Sequence, residues 1–301
     1  MRLLLLVLSG FLLLGCGAKE KVVVFCAGSL TKPFERLADE FRSRYGVDVE
    51  IEASGSRVAA KKISELGRRA DVVALADWRL FPQLLYPKYC EWFAKFAANR
   101  LVLAYTDKSY GANKINSQNW MEILKEEKTR WGHSDPDADP CGYRALMALQ
   151  LAEKFYRKPG LYDLLLKHKG RVVRSKSVEL VVLLQAGELD YAFEYSSVAV
   201  QHKLRYVELP AEINLGDPTK AQFYSQARLR LTDGTEVRGA PIVYGVGVPK
   251  NAPHPELALK FVKLLLSETG QKILAECGQR SVEPQFEGNP PEVLADKRQS
   301  P

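Results

Sequence analysis

The chain is short of the residues that usually carry chemistry. It has four histidines in 301 residues, His133, His168, His202 and His254, and none falls in a His-Glu-x-x-His pattern. Its five cysteines include no Cys-x-x-Cys pair. Zinc sites depend on closely spaced ligands of these kinds, so none is indicated. There is no Gly-x-Ser-x-Gly elbow, no histidine placed as a partner base and no paired acidic motif. The chain is therefore expected not to be an enzyme and to need no cofactor. The formal net charge is +7, but Lys and Arg form no block and do not alternate with aromatics, which argues against nucleic acid. A modest basic balance weakly favours anionic partners through long-range attraction. Beyond residue 14 no apolar run is long enough to span a bilayer.

The chain does begin with a leader. Arg2 is followed by an apolar run over 3–14 and then Gly15-Cys16-Gly17. The run is too short to span and fits a signal-peptide core over 1–15. Leu13-Leu14-Gly15-Cys16 resembles a lipobox, which implies lipidation of Cys16 and a membrane-anchored, extracytoplasmic protein without a spanning helix. In that compartment Cys26, Cys90, Cys141 and Cys277 are free to form disulfides, in more than one pairing.

With 46% hydrophobic and 26% charged residues, the remainder has the composition of a soluble α/β protein, long enough for two lobes. One device recurs in it: a strand, a small polar turn, then a helix. A strand over 22–25 ends at Ala27-Gly28-Ser29, and a helix with Leu30, Phe34, Leu37, Ala38 and Phe41 on one face stops at Gly46. A strand over 47–51 ends at Ser54-Gly55-Ser56-Arg57 and leads into a helix with Ala59, Ile63 and Leu66 inward. Asp135-Pro-Asp-Ala-Asp139 opens a helix with Asp139 as N-cap and Pro140 in the first turn, where no N–H is needed. Ser177 is expected to cap a helix over 178–186, with Glu179 in its first turn. Helix starts present unpaired N–H groups and partial positive charge, and in open α/β sheets ligands gather where such turns meet.

Further strands are expected over 71–75, 100–105, 171–174, 191–195, 204–209 and 242–248, with a hairpin over 229–238 around Asp233-Gly234. Helices are expected over 120–128, 255–266 and 267–276. The stretch 78–96 reads as irregular, and the tail after Pro284 as extended or frayed. The chain is expected to cross between lobes near Tyr105, giving one lobe from 16–104 and 242–301 and a second from 105–241.

Ala27-Gly-Ser-Leu-Thr31, Ala53-Ser-Gly-Ser56, Asp139-Pro-Cys-Gly-Tyr-Arg144, Tyr191-Ala-Phe-Glu-Tyr-Ser-Ser-Val-Ala199, Gln201-His202 and Pro241-Ile-Val-Tyr-Gly245 occur in this order. As an ordered set they resemble the molybdate/tungstate-binding proteins of ABC importers, closest to the archaeal-type branch. The resemblance implies a type II periplasmic-binding-protein fold with an oxyanion in the cleft between two α/β lobes. It also implies a permease and an ATPase as partners, and a monomer is expected. By motif, the family's oxyanion donors fall on Ser29 (with Gly28), Ser56, the backbone at Pro140-Cys141, Tyr195 and the position of Ser177. In the archaeal-type branch the last position is usually Glu, which with an Asp matching Asp139 bonds the metal. Here Ser177 replaces that Glu, unless Glu179 takes its role. The resemblance thus leaves Asp139 as the one carboxylate expected on molybdenum or tungsten, or else a tetrahedral oxyanion.

A doubly charged oxyanion accepts hydrogen bonds only, so neutral N–H and O–H groups suffice when preorganised in a dry cleft. An amino- or carboxylic-acid ligand would instead call for an arginine clamp, for which Arg57 and Arg144 are the candidates.

Overall fold

The computed structural model describes residues 20–295; the leader, Cys16 and the last residues lie outside them. Thirteen strands are described: β1 (Lys21–Ala27), β2 (Asp48–Ser54), β3 (Val72–Leu75), β4 (Trp92–Ala98), β5 (Leu101–Tyr105), β6 (Trp131–Ser134), β7 (Arg171–Arg174), β8 (Tyr191–Tyr195), β9 (Arg205–Glu208), β10 (Arg228–Arg230), β11 (Glu236–Arg238), β12 (Val243–Gly247) and β13 (Arg280–Gly288). The helices used below are α1 (Thr31–Tyr45), α2 (Ser56–Ser64), α3 (Trp120–Lys125), α4 (Pro140–Phe155), α5 (Leu161–Leu166), α6 (Val178–Ala186) and α7 (Ser196–Gln201).

The strands form two mixed sheets. The first runs β13-β4-β12-β3-β1-β2, and the second β7-β6-β8-β5-β9. β10 and β11 form a separate hairpin, as the turn at Asp233-Gly234 predicts. Within each sheet the strands that feed helices are parallel: β1 pairs with β2 and β3, and β6 pairs with β7 and β8. Their carboxyl ends carry the strand-to-helix turns, so the topology gathers those turns at one edge of each sheet.

α1 buries Phe34, Leu37, Ala38 and Phe41 and ends at Gly46, whose φ of 67° suits glycine. α2 buries Ala59, Ala60 and Ile63 but stops at Ser64; Leu66 lies beyond its end and is 71% exposed, not inward. α4 is buried along most of its length, which fits its position against β6 and β8.

Several elements depart from the sequence reading. The stretch expected to be irregular contains a π-helical turn (Phe81–Leu85) and β4, a central strand buried almost throughout. A strand covered on both faces shows no alternation, which is why Trp92–Ala98 gave no period-two signal. Of the two expectations for the tail, extended holds through Gly288, where β13 pairs with β4 across a register shift around Pro284. β6, α5 and α7 are short and were not anticipated. The strand at 101–105, placed by sequence in the first lobe, is hydrogen-bonded to β8 and β9 in the second sheet. The chain leaves the first sheet at Asn99-Arg100 and returns between β11 and β12. These two crossings lie side by side, with the Asn99 N–H donating to the Ile242 carbonyl. The four cysteines at 26, 90, 141 and 277 are buried, free thiols.

Candidate functional site

The turns at the two sheet edges meet. On the first-sheet side, Gly28–Leu30 forms a single 3-10 turn between β1 and α1 and places Ser29, 3% exposed, at the edge. Ser56 is the first residue of α2 and is fully buried; its Oγ accepts the N–H of Ala76 at 2.9 Å. On the second-sheet side, Asp139 caps α4 and Tyr195 ends β8.

Gly55 lies against the loop that precedes α4. A Cβ at this position would stand 2.4 Å from the Ala138 carbonyl oxygen, so only glycine permits the approach. The N–H of Arg57, two residues on, donates to that same carbonyl at 3.2 Å. Gly28 faces Val178 at the start of α6, with 3.3 Å from an ideal Cβ to Cγ2. From there the contacts close into a circuit. Ser177 N donates to Asp139 Oδ2 (2.9 Å), and Asp139 adjoins Gly55 and so Ser56. Ser56 binds Ala76, whose carbonyl accepts Arg144 Nη1 (2.8 Å), and the same Nη1 donates to the Tyr195 hydroxyl (2.6 Å). The rings of Tyr195 and Tyr244 meet edge to face at 6.2 Å, and Tyr244 Oη lies 2.9 Å from Ser29 Oγ. These contacts link Ser29, Ser56, Asp139, Ser177 and Tyr195 in one chain that crosses between the two sheets.

Asp139 shows how local sequence sets this geometry. Its extended backbone ends the loop, Pro140 opens α4, and Oδ1 accepts the Cys141 N–H at 3.1 Å. The second oxygen reaches across to the Ser177 N–H, so one carboxyl caps α4 and the start of α6 together. Ser177 does not cap α6 as expected: its backbone is helical and its side chain makes no capping bond. Glu179 accepts the Ser175 hydroxyl on an exposed surface. The Cys141 thiol is turned to the Phe193 carbonyl at 3.6 Å.

Both arginines proposed for a carboxylate clamp are already tied to protein groups. Arg57, 2% exposed, donates from Nη2 to Asp233 in the hairpin turn (2.5 Å) and from Nε to the Asp137 carbonyl (3.2 Å). Arg144, 1% exposed, places Nη2 3.2 Å from Asp77 Oδ2, an ion pair not aligned as a hydrogen bond, while Nη1 makes the two bonds above. Asp77 also receives Tyr143 Oη (2.5 Å) and a two-nitrogen contact from Arg79. Burial alone would push the Asp77 carboxyl up; the Arg79 and Arg144 guanidiniums and the Tyr143 hydroxyl outweigh it and hold it well below the usual range.

Glu194 lies inside the Tyr191–Ala199 motif, which assigns it no role. It is fully buried on β8. Burial first, and then the charge of Asp139, push it well above the carboxylate range. Asp139 is also raised by burial, against the N–H groups of Ser177 and Cys141 that favour its charge. The folded chain thus holds a proton at Glu194 to higher pH than the unfolded chain does. That contribution to stability is complete below the unfolded value and is lost as pH rises through the raised folded value. Glu194→Gln is expected to melt above the parent near pH 8, with the gap closing towards pH 4. A gap that does not change with pH in thermal unfolding would assign the titration elsewhere.

Among the described residues no group of His, Cys, Asp and Glu is placed to hold a metal ion, and no helix is long and apolar enough to cross a membrane. Burial pushes His133 down to about 4; its ring bonds the Ser134 carbonyl and Arg171.

Comparison with known proteins places the chain among extracytoplasmic binding proteins. The sequence profile of the family described as "bacterial extracellular solute-binding protein" matches residues 22–280. The molybdate/tungstate-binding protein WtpA of Pyrococcus abyssi is 42% identical, with 94% of each chain covered. WtpA of Thermococcus kodakarensis is 41% identical over 91% of this chain and 86% of its own. Among solved structures, the periplasmic molybdate-binding protein of Azotobacter vinelandii superposes with a TM-score of 0.67 over 88% of this chain and all of its own, at 18% identity. That structural match bears on the fold alone, the two-lobe type II periplasmic-binding-protein architecture.

Proposed function

This chain belongs to the bacterial extracellular solute-binding protein family, on the branch of the molybdate/tungstate-binding proteins of ABC importers, and from that premise we propose that it captures tungstate or molybdate between its lobes and delivers the oxyanion to a membrane permease and its ATPase. We assign one lobe to the first sheet and the other to the second, with the ligand at the point where Ser29 and Ser56 face Asp139, Ser177 and Tyr195. The supporting observation is the closed circuit of contacts around that point. It brings together hydroxyls from both lobes and two helix starts, while the nearby Arg57 and Arg144 are committed to Asp233, Asp77 and backbone carbonyls. An organic acid would need one of those guanidiniums; a metal oxyanion needs donors, and helix starts supply them. Ser29, Ser56 and Tyr195 would supply O–H groups, and the backbone at Ser29 and Ser56 would supply N–H groups. Asp139 now holds the N–H groups of Cys141 and Ser177, and one of its oxygens would bond the metal. Ser177 offers no second carboxylate; the buried carboxyl near Asp139 is Glu194.

The anchor is proposed to be a lipid on Cys16, with the binding body a monomer outside the cytoplasm. Calorimetric titration with tungstate, molybdate, sulfate and phosphate at fixed salt and pH tests the reading. Tight one-to-one binding of the two metal oxyanions is expected, with sulfate at least about a hundredfold weaker, roughly 2.7 kcal/mol. No heat with either metal oxyanion would reject it.

Lobe contacts make a kinetic prediction. Arg57 joins the lobes through its own N–H and its side chain, and its partner Asp233 is partly exposed, so the ion pair itself is weak while the carbonyl bond and packing matter more. Arg57→Ala is expected to speed tungstate dissociation about tenfold with little change in association, read by stopped-flow displacement. An unchanged dissociation rate would show that these contacts do not hold the lobes closed.

A further inference from the structure

Gln201-His202 belongs to the ordered set of motifs but has no place among the donors above. Gln201 is the last residue of α7, which packs on the second sheet against β5, β8 and β9. Its side-chain amide nevertheless reaches into the first lobe. Nε2 donates to the Ser29 carbonyl (3.2 Å) and to the carbonyl of Cys277, just ahead of β13 (3.1 Å), which uses both protons of the amide. The Gln201 carbonyl accepts Lys32 Nζ (2.8 Å), a cation from the first turn of α1 set at the carboxyl end of α7. Gly278 permits this approach: its φ is 84°, and a Cβ there would stand 3.0 Å from Ser197 Cα.

The other end of α7 is pinned where the chain crosses between the sheets. Asn99 Oδ1 accepts the Ser196 hydroxyl (2.9 Å), and Nδ2 donates to Ser197 Oγ (2.7 Å) and Tyr244 Oη (3.0 Å). Tyr244 Oη in turn lies 2.9 Å from Ser29 Oγ. Asn99, α7, Gln201, Ser29 and Tyr244 thus form a closed frame with its pivot at the crossing. The Ser29 carbonyl has two donors, Gln279 Nε2 (3.0 Å) from its own lobe and Gln201 from the opposite one, and two is what a carbonyl oxygen accepts. Because the peptide is planar, holding that oxygen fixes the Ser29–Leu30 peptide plane and with it the turn that carries the Ser29 hydroxyl.

α7 has six residues and is about 9 Å long. A rotation of about 15° at the crossing would carry its far end by roughly 2 Å, enough to break both amide bonds. The grip of Gln201 on Ser29 therefore exists with the lobes together and is lost when they part. We propose that Gln201 is a positioning residue for oxyanion binding: it completes the Ser29 turn from the opposite lobe, so that the hydroxyl donor of the first lobe is fully set only on closure. This rests on the oxyanion reading above.

The test is calorimetric titration of the full binding body with tungstate and molybdate. The proteins are the parent, Gln201→Met, Ser29→Ala, Ser56→Ala, and Gln201→Met combined with each serine variant. Methionine keeps the length of the side chain and removes both protons, and Gln279 still holds the Ser29 carbonyl, so the fold is retained. Gln201→Met is expected to weaken tungstate binding about tenfold. The loss should largely vanish in the Ser29→Ala background and persist in full in the Ser56→Ala background. Gln201→Glu, of the same length, sets a carboxylate against two carbonyls and should lose at least as much at neutral pH. Parent affinity in Gln201→Met overturns the proposal and leaves the oxyanion reading intact. An equal loss in both serine backgrounds does the same, since it makes Gln201 a contact between lobes and nothing more. A parent protein that binds neither metal oxyanion overturns the oxyanion reading and the proposal with it.

Discussion

Arg144→Met is expected to lower stability by about 3 kcal/mol, near the bottom of the range for breaking a buried ion pair from one side. The methionine fills much of the space left by the arginine stem, so the loss is electrostatic more than steric. The variant leaves Asp77, 2% exposed, with Arg79 and Tyr143 but without the guanidinium that reaches it from α4. The Ala76 carbonyl and the Tyr195 hydroxyl lose a donor in the same step. The pH dependence separates this cause from simple loss of packing. Asp77 titrates in the folded chain well below its ordinary value of 3.8. Its contribution is therefore present above that value and lost as pH falls through the folded one. Without Arg144 the folded value rises towards the ordinary range, so the acid decline of stability should begin at higher pH. Urea unfolding at pH 7 and pH 4 checks both parts. Parent-like stability at pH 7 would mean that Arg79 alone neutralises Asp77.

Asp139→Ala is expected to cost about 2 kcal/mol or more, because one carboxyl serves two helices. Losing a cap costs roughly 1 kcal/mol, and the buried Ser177 N–H is left unpaired at a further 1–3 kcal/mol or so. Asp139→Asn should recover part of the loss, since a single amide oxygen can accept one of the two N–H groups. The same variants separate a cap from a metal ligand. Sulfur in sulfate takes no further oxygen, whereas molybdenum and tungsten expand their coordination. If Asp139 bonds the metal, tungstate affinity falls about a hundredfold in Asp139→Ala and sulfate affinity does not fall with it. Calorimetry with both anions provides the check. Equal changes for the two would make Asp139 a cap alone.

The turns that build the site were legible because each combines two independent local signals: an apolar strand that stops, and a residue type suited to a helix start. Gly28-Ser29, Gly55-Ser56 and Asp139-Pro140 all announce themselves in this way. Ser177 carried the same signal and lacked the geometry, because its N–H was claimed by a carboxyl 38 residues away. β4 was illegible for the opposite reason: Trp92–Ala98 is covered on both faces and so has no polar side to alternate with. The pairing of β5 with β8 and β9 is a long-range fact that strand propensity does not encode. Arg57 and Arg144 could be flagged as cations near the turns, but only the fold shows that Asp233 and Asp77 reach them first. Asn99, Tyr244 and Glu194 gave no signal alone: Asn99 reads as a loop residue, and Tyr244 and Glu194 lie inside strands. The roles of Asn99 and Tyr244 come from contacts with residues from 97 to 215 positions away, and that of Glu194 from its burial.

The most direct test is an anomalous difference map at the tungsten edge from protein crystallised with tungstate. One peak is expected, its oxygens within hydrogen-bonding reach of Ser29 Oγ, Ser56 Oγ and Tyr195 Oη, with Asp139 beside the metal. A peak outside that circuit, or no ordered tungsten in a crystal grown at saturating tungstate, would contradict the account.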